Sequence, residues 1–226
     1  MSLNSYRDFL NVNPPLPASN PQVAMVKRVG ARIASAVEKF LRDNGKEEKA
    51  GSYQWEYNLV ESDDVNAWCL PGGRVVVYTG ILPYSKDEAG LAVIMGHEIA
   101  HAVANHGGER MSQQLAVVAG GVSLEIAMQQ QPVQTRDIFN LAYGVGSTLG
   151  ILAYSRTHEL EADKLGMVFM AMAGYDPSRA LAFWEDMASI PGVAPPELLS
   201  THPGNEKRIK AIRDFIPTAN IYFVNQ

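Results

Sequence analysis

One cysteine, Cys69, stands in a chain of 226 residues, which excludes an internal disulfide and any cluster of thiolate metal ligands. Its place in the turn-rich block from Asn66 to Gly73 makes it a packing residue rather than a reactive thiol. Basic charge is sparse too: 19 Lys and Arg face 24 Asp and Glu, a net charge of −5. No basic stripe is present, so nucleic acid is not expected as a partner. No uncharged run reaches the roughly 20 apolar residues that a membrane-spanning helix needs. Leu115 to Met128 is short and includes Glu125, and Ile138 to Ser155 is interrupted by Asn140, Ser147, Thr148 and three glycines. The two runs read as a hairpin packed on the core, with membrane association or self-association through residues 115–155 as the alternative. A signal peptide is missing at the start, where Met1-Ser2-Leu3 leads into polar residues and the proline-rich Pro14 to Pro17. That pattern fits a removed export or lipid-anchor segment and equally a cytosolic protein. No internal repeat is visible.

What is present is enough apolar residue, 46% of the chain, to bury one core. A single domain over residues 1–226 is expected, with residues 1–20 a flexible N-terminal segment. Pro21 to Arg42 places Val26, Val29, Ile33 and Val37 at helical spacing and closes at Asn44-Gly45. Tyr53 to Glu61 alternates as a strand. Arg74 to Thr79, β-branched and aromatic after a Pro-Gly-Gly turn, predicts a strand at the edge of a small sheet. A long helical region from about Glu109 to Ala173 breaks near Gln129 to Pro132. Asp176-Pro177 opens another helix to about Ser189, Pro191 to Pro196 is a loop, and Ile221 to Val224 reads as a short final strand.

The most specific pattern is His97-Glu98-Ile99-Ala100-His101, inside a helix predicted from about Lys86 to Asn105 and started by a Ser85/Glu88 capping box. Positions four apart share a helix face, so His97 and His101 can offer imidazole nitrogens to one zinc ion while Glu98 flanks it as a base. Two histidines on an ordinary helix would be the bland alternative, and a third ligand decides between them. The metzincin extension needs Gly three and His six residues after His101, where this chain has Ala104 and Gly107. The thermolysin-like arrangement takes a Glu from a later helix, and Ser155 to Asp163 offers Glu159. Asp163, one turn on, is placed to accept the far N–H of a ligating histidine. Glu161 lies off that face and reads as a solvated charge, while His106 and His158 read as surface or packing residues.

Taken together, HEIAH at 97–101, Ser155 to Gly166, Thr201-His202-Pro203 with Arg208-Ile209, and Asn66-Ala67-Trp68-Cys69-Leu70-Pro71-Gly72-Gly73 resemble the zinc metallopeptidase family of the heat-shock protease HtpX and the CAAX prenyl proteases. Its small bacterial envelope members, of the BepA and LoiP type, are the most similar in pattern, and the blocks run in family order from Asn66 to Ile209. The resemblance implies an α+β fold, mostly helical and zincin-like (gluzincin), with an edge strand above the zinc helix. It implies one Zn2+ per chain on His97, His101 and Glu159, with Asp163 and Arg208 behind the ligands. Glu98 and His202 are then the catalytic residues, His202 as oxyanion donor or as an occupant of the metal's open position; the confined approach from Pro191 to Pro196 favours the donor role. Asn66 and Ala67 are implied to grip the substrate main chain, with a turn cap as the lesser alternative for Asn66. The strand with Gly73, Val75 and Val77 would extend that grip by backbone pairing.

The resulting expectation is a zinc endopeptidase that hydrolyses unfolded or misfolded polypeptide, set by resemblance in the bacterial envelope or periplasm, with the cytoplasm open as well. The competing expectation is a binding or chaperone-like module whose metal site is structural or blocked. The intact Glu98 argues against it, because a structural zinc site is closed by four protein ligands and needs no base. An aminopeptidase would need acidic residues to capture a substrate N-terminus, and none can be identified.

Overall fold

The computed structural model describes residues 3–189, 198, 202 and 206–224. Among them the elements run α1 (Leu3–Val12), α2 (Pro21–Asp43), α3 (Glu47–Gly51), β1 (Glu56–Val60), β2 (Ala67–Leu70), β3 (Arg74–Tyr78), a 3-10 turn (Thr79–Ile81), α4 (Leu82–Ser85), α5 (Glu88–Ala104), α6 (His106–Met128), α7 (Val133–Met172), α8 (Arg179–Ala188) and α9 (Glu206–Asn220). The fold is α+β, mostly helical around one three-stranded sheet. The chain divides into two compact units, Met1–Ala104 with Leu160–Gln226, and Asn105–Glu159.

In the larger unit the strand order is β1-β3-β2. β3 runs parallel to β1, pairing Val75 with Tyr57, and antiparallel to β2, pairing Val77 with Ala67. β3 is therefore the central strand, not the edge expected from sequence. The reason is visible in its side chains. Val75 and Val77 face the main core while Val76 joins Tyr6 and Val60 on the opposite face, and all three valines are fully buried. A strand covered on both faces reads as a continuous apolar run and reveals nothing about its neighbours. The edge strand packed on α5 is β2.

The second sheet face is covered by α1. Tyr6 is buried, its hydroxyl accepts from Asn58 Nδ2 at 2.8 Å, and Phe9 sits edge-on to Trp68 at 5.2 Å. The first twenty residues, read from sequence as flexible, thus carry a packed helix and a bridge from Pro15 to Val60. Tyr6, Phe9 and Leu10 make the apolar stripe at i, i+3, i+4, too short a pattern to stand out among polar neighbours.

α5 is buried nearly all round, against α2 through Val26, Val29, Ile33 and Val37 and against β2. Its N-terminus is capped by Asp87, whose Oδ1 accepts from Gly90 N at 2.7 Å. The predicted capping box does not form: the Ser85 hydroxyl donates to Leu82 O, and Glu88 pairs with Arg28. Asn105 ends the helix in the left-handed region, φ 63°. A glycine pair sets how closely the C-terminal part of α7 approaches α5. A Cβ on Gly166 would come within 3.0 Å of the Gly96 carbonyl carbon and of His97 N, so the two backbones meet one residue before the first histidine.

α8 and α9 complete this unit. Asp176 Oδ1 accepts from Ser178 N at 2.8 Å ahead of α8. α9 continues through Pro217 to Asn220. Residues 221–224 form no strand and return to the fold through Val224 N donating to Ala171 O. The expected loop at 191–196 lies outside the described residues.

The smaller unit is a helical hairpin of α6 and the first part of α7, broken where Gln129 to Pro132 predicts. Tyr143 crosses it, its hydroxyl donating to Val117 O at 2.6 Å. His106 and His158 are buried here and stacked at 4.1 Å, and His158 Nε2 lies 3.0 Å from Glu109 Oε2.

Candidate metal centre

α5 presents His97, Glu98 and His101 in adjacent turns. His97 and Glu98 are 2% and 5% exposed. His97 Nδ1 lies 3.0 Å from Asp163 Oδ1, and a carboxylate there makes Nδ1 the protonated nitrogen. The lone pair of His97 Nε2 then points the other way. On that side His101 Nε2 lies 3.1 Å away and His202 Nδ1 3.2 Å away. Ligands bound tetrahedrally at 2.0–2.1 Å stand about 3.3 Å apart, so these spacings suit nitrogens that share one ion. One donor atom from each of His97, His101, Glu159 and His202 lies within 4.8 Å of every other.

α7 supplies the carboxylates. Glu159 and Asp163 are buried, 6% and 5% exposed, whereas Glu161 between them is exposed, as a solvated charge should be. Asp163 is gripped by Arg208 through two parallel bonds, Nε to Oδ2 at 2.6 Å and Nη2 to Oδ1 at 2.7 Å. Burial pushes the Asp163 carboxyl up, but the Arg208 charge and its bonds, together with His97, outweigh that and hold it below the usual carboxylate range. Arg208 Nη1 also donates to the backbone carbonyl of His202 at 2.9 Å. His202 in turn places Nε2 3.5 Å from Glu98 Oε1. Three imidazoles and one carboxylate form a borderline nitrogen and oxygen donor set, the chemistry that zinc and its neighbours favour.

The expected substrate strand is displaced. Gly73 lies in the turn before β3, at φ 93° against the Trp55 ring, and its carbonyl accepts from Glu56 N. Val75 and Val77 are hydrogen-bonded between two strands, which leaves no open edge for a substrate at these three residues. Among the described residues the edge strand without a second ladder partner is β2, and just before it Val65 O already accepts from Leu198 N. Tyr78 N donates to Asn66 O, so residues 66, 68 and 70 face β3 and residues 67 and 69 turn their backbone groups outward. Asn66 also accepts from Ala67 N through its side chain at 2.9 Å, the local turn geometry that its sequence position allows.

Sequence reasoning missed Trp184. It is 3% exposed on α8, under the Arg208 guanidinium at 3.7 Å and beside the His97 ring at 5.4 Å. No motif spacing could have joined it to residues 24 and 87 positions away. Burial pushes the Cys69 thiol above the ordinary range, in keeping with a packing residue.

Comparison with known proteins gives a concordant result. The sequence model described as Peptidase family M48 matches residues 27–216. The mitochondrial metalloendopeptidase OMA1 of Schizosaccharomyces pombe is 34% identical over 212 residues, covering 91% of this chain and 56% of the relative. The putative beta-barrel assembly-enhancing protease of Vibrio cholerae is 32% identical over 165 residues, 69% of this chain and 33% of the relative. The beta-barrel assembly-enhancing protease of Escherichia coli is 29% identical over 167 residues, 71% and 34% of the respective chains. The chain spans between a third and three fifths of the length of these relatives.

Proposed function

The chain belongs to peptidase family M48, and from that membership we propose that it is a zinc-dependent endopeptidase cleaving unfolded or misfolded polypeptide in protein quality control at the bacterial envelope. The observation that carries the reading is the ligand-spaced group of His97, His101, Glu159 and His202 with the Glu98 carboxylate beside it. One zinc would be held by His97, His101 and Glu159. When bound, it supplies Lewis acidity that lowers the pKa of water toward about 7 and polarises the scissile carbonyl.

The protein's own groups do the rest. Glu98 takes the proton of the attacking water and returns it to the leaving amine. Asp163 fixes the His97 tautomer, and Arg208 fixes Asp163. His202, held through its carbonyl by Arg208, donates to the oxyanion. The outward carbonyl of Ala67, whose N–H is held by the Asn66 side chain, and the outward backbone groups of Cys69 on β2 pair with an extended substrate, a grip that selects extended chain over sequence. The relatives named for mitochondria and for β-barrel assembly support the envelope setting. Among the described residues no helix is long and apolar enough to cross a membrane.

One observation favours the second reading, a chaperone-like or blocked module: His202 Nδ1 is at ligand spacing from His97 Nε2 in this conformation, so His202 can occupy the position that water needs. The two readings separate by assay. The purified chain should hold one zinc and cleave an unfolded protein, with cleavage lost on chelation and restored by zinc. A chain that holds zinc and never cleaves would favour the blocked module, and cleavage indifferent to chelation would contradict both.

A further inference from the structure

We infer that Trp184 is a positioning residue for the metal centre, acting through Arg208 on both Asp163 and the backbone at His202; the inference rests on the metal-site reading above. Arg208 is 2% exposed, and its guanidinium touches both Asp163 and the His202 carbonyl. Those bonds lie in the guanidinium plane and fix rotation within it. They do little against tilting out of it, because a planar fork has no donors above or below. The face is covered by Trp184, with the guanidinium carbon 3.7 Å from the ring centroid, a cation–π contact made away from water, where such contacts are strongest.

Tilting would draw the Asp163 carboxylate off His97 Nδ1, now 3.0 Å away, and shift the anchor of His202. The indole is itself held in place. Phe183 meets it edge-on at 5.2 Å, and the space left between it, Met167, Met170, Ala180 and Ile212 is about 10 Å³, too little for the ring to swing. It also meets the His97 ring, inclined at 67°, so the same side chain limits rotation of a proposed ligand. Trp184 thus joins three separate parts of the site, from α5, α7 and α9, without presenting a ligand or an acid–base group.

The test compares zinc affinity of the apo chain, by competition with a chromophoric chelator, with kcat and KM on an unfolded protein. Trp184→Met keeps bulk and removes the π face; Trp184→Phe keeps a face. Trp184→Met should fold, weaken zinc binding about 10-fold or more, as loss of groups behind a ligand does, and lower kcat with KM within about twofold. Trp184→Phe should stay within about threefold of wild type for both. In an Arg208→Lys background, Trp184→Met should add little, because the guanidinium it supports is gone. If Trp184→Met does not fold, Trp184→Leu carries the same comparison. A folded Met or Leu variant with wild-type zinc affinity, or full additivity with Arg208→Lys, overturns the inference. Wild-type chain that binds no zinc would overturn the metal-site reading on which it stands.

Discussion

Asp163 and Glu161 are two residues apart on one helix and have opposite fates: one is buried against Arg208 and His97, the other exposed. The contrast gives a sharp test of the ligand set. Glu159→Ala should abolish tight zinc binding, Asp163→Ala should weaken it roughly 10 to 100-fold, and Glu161→Ala should leave it unchanged, all read by chelator competition. Zinc release by Glu161→Ala alone would mean the ligand lies elsewhere. His202→Ala should admit a zinc-binding hydroxamate more tightly than wild type, because an imidazole at ligand spacing no longer competes, while turnover falls about 10² to 10³-fold if the oxyanion role holds. Equal inhibitor affinity would remove His202 from the metal's fourth position. His97 with His101 and Glu159 with Asp163 were readable from spacing, i and i+4 for the histidines and one helical turn for the carboxylates, whereas His202 and Arg208 entered only through the family resemblance. Trp184 and the Arg208 stack obey no spacing and emerge only when α5, α7, α8 and α9 are packed.

Among elements, α2, α5, and the break between α6 and α7 followed from apolar period and from Gly and Pro punctuation. The sheet did not. Three consecutive buried valines carry no alternation, so the sequence could not tell a central strand from an edge, and the edge fell to the shorter β2. The start of α5 failed for a different reason: Ser85 and Asp87 are both competent caps, and with the positive-φ turn at Lys86 between them it is Asp87 that caps Gly90 N. The β2 assignment predicts that Cys69→Pro, which removes an outward N–H while keeping the ladder to β3, will fold and raise KM for unfolded protein with less effect on kcat. Unchanged KM in a folded variant would show that substrate does not pair with this edge.

At the scale of the whole molecule, folding and the metal centre are coupled, because the four proposed zinc-facing donors come from α5, α7 and the segment before α9 and meet only in the native state. Zinc held at about 1,000 times its Kd stabilises by about 4 kcal/mol. A chain of this length shifts about 2–4 °C per kcal/mol. Chelation should therefore lower Tm by about 10 °C, reversibly with zinc, in differential scanning calorimetry; an unchanged Tm would mean the donors do not hold a metal in solution. The hairpin unit was harder to read. Its helices were clear, and along them Leu115, Val118, Val122, Ile126, Ile138 and Leu141 are all more than half exposed. Hydrophobic sequence predicts that a surface is to be covered, not what covers it.

The central claim is that Glu98 is the base at a zinc centre and not a ligand. Zinc content and cleavage of an unfolded protein, measured side by side for wild type and Glu98→Gln, test it most directly. The variant should fold, retain one zinc per chain, and cleave about 10²-fold more slowly or worse. Undiminished cleavage by Glu98→Gln, or loss of its zinc, would contradict the assignment.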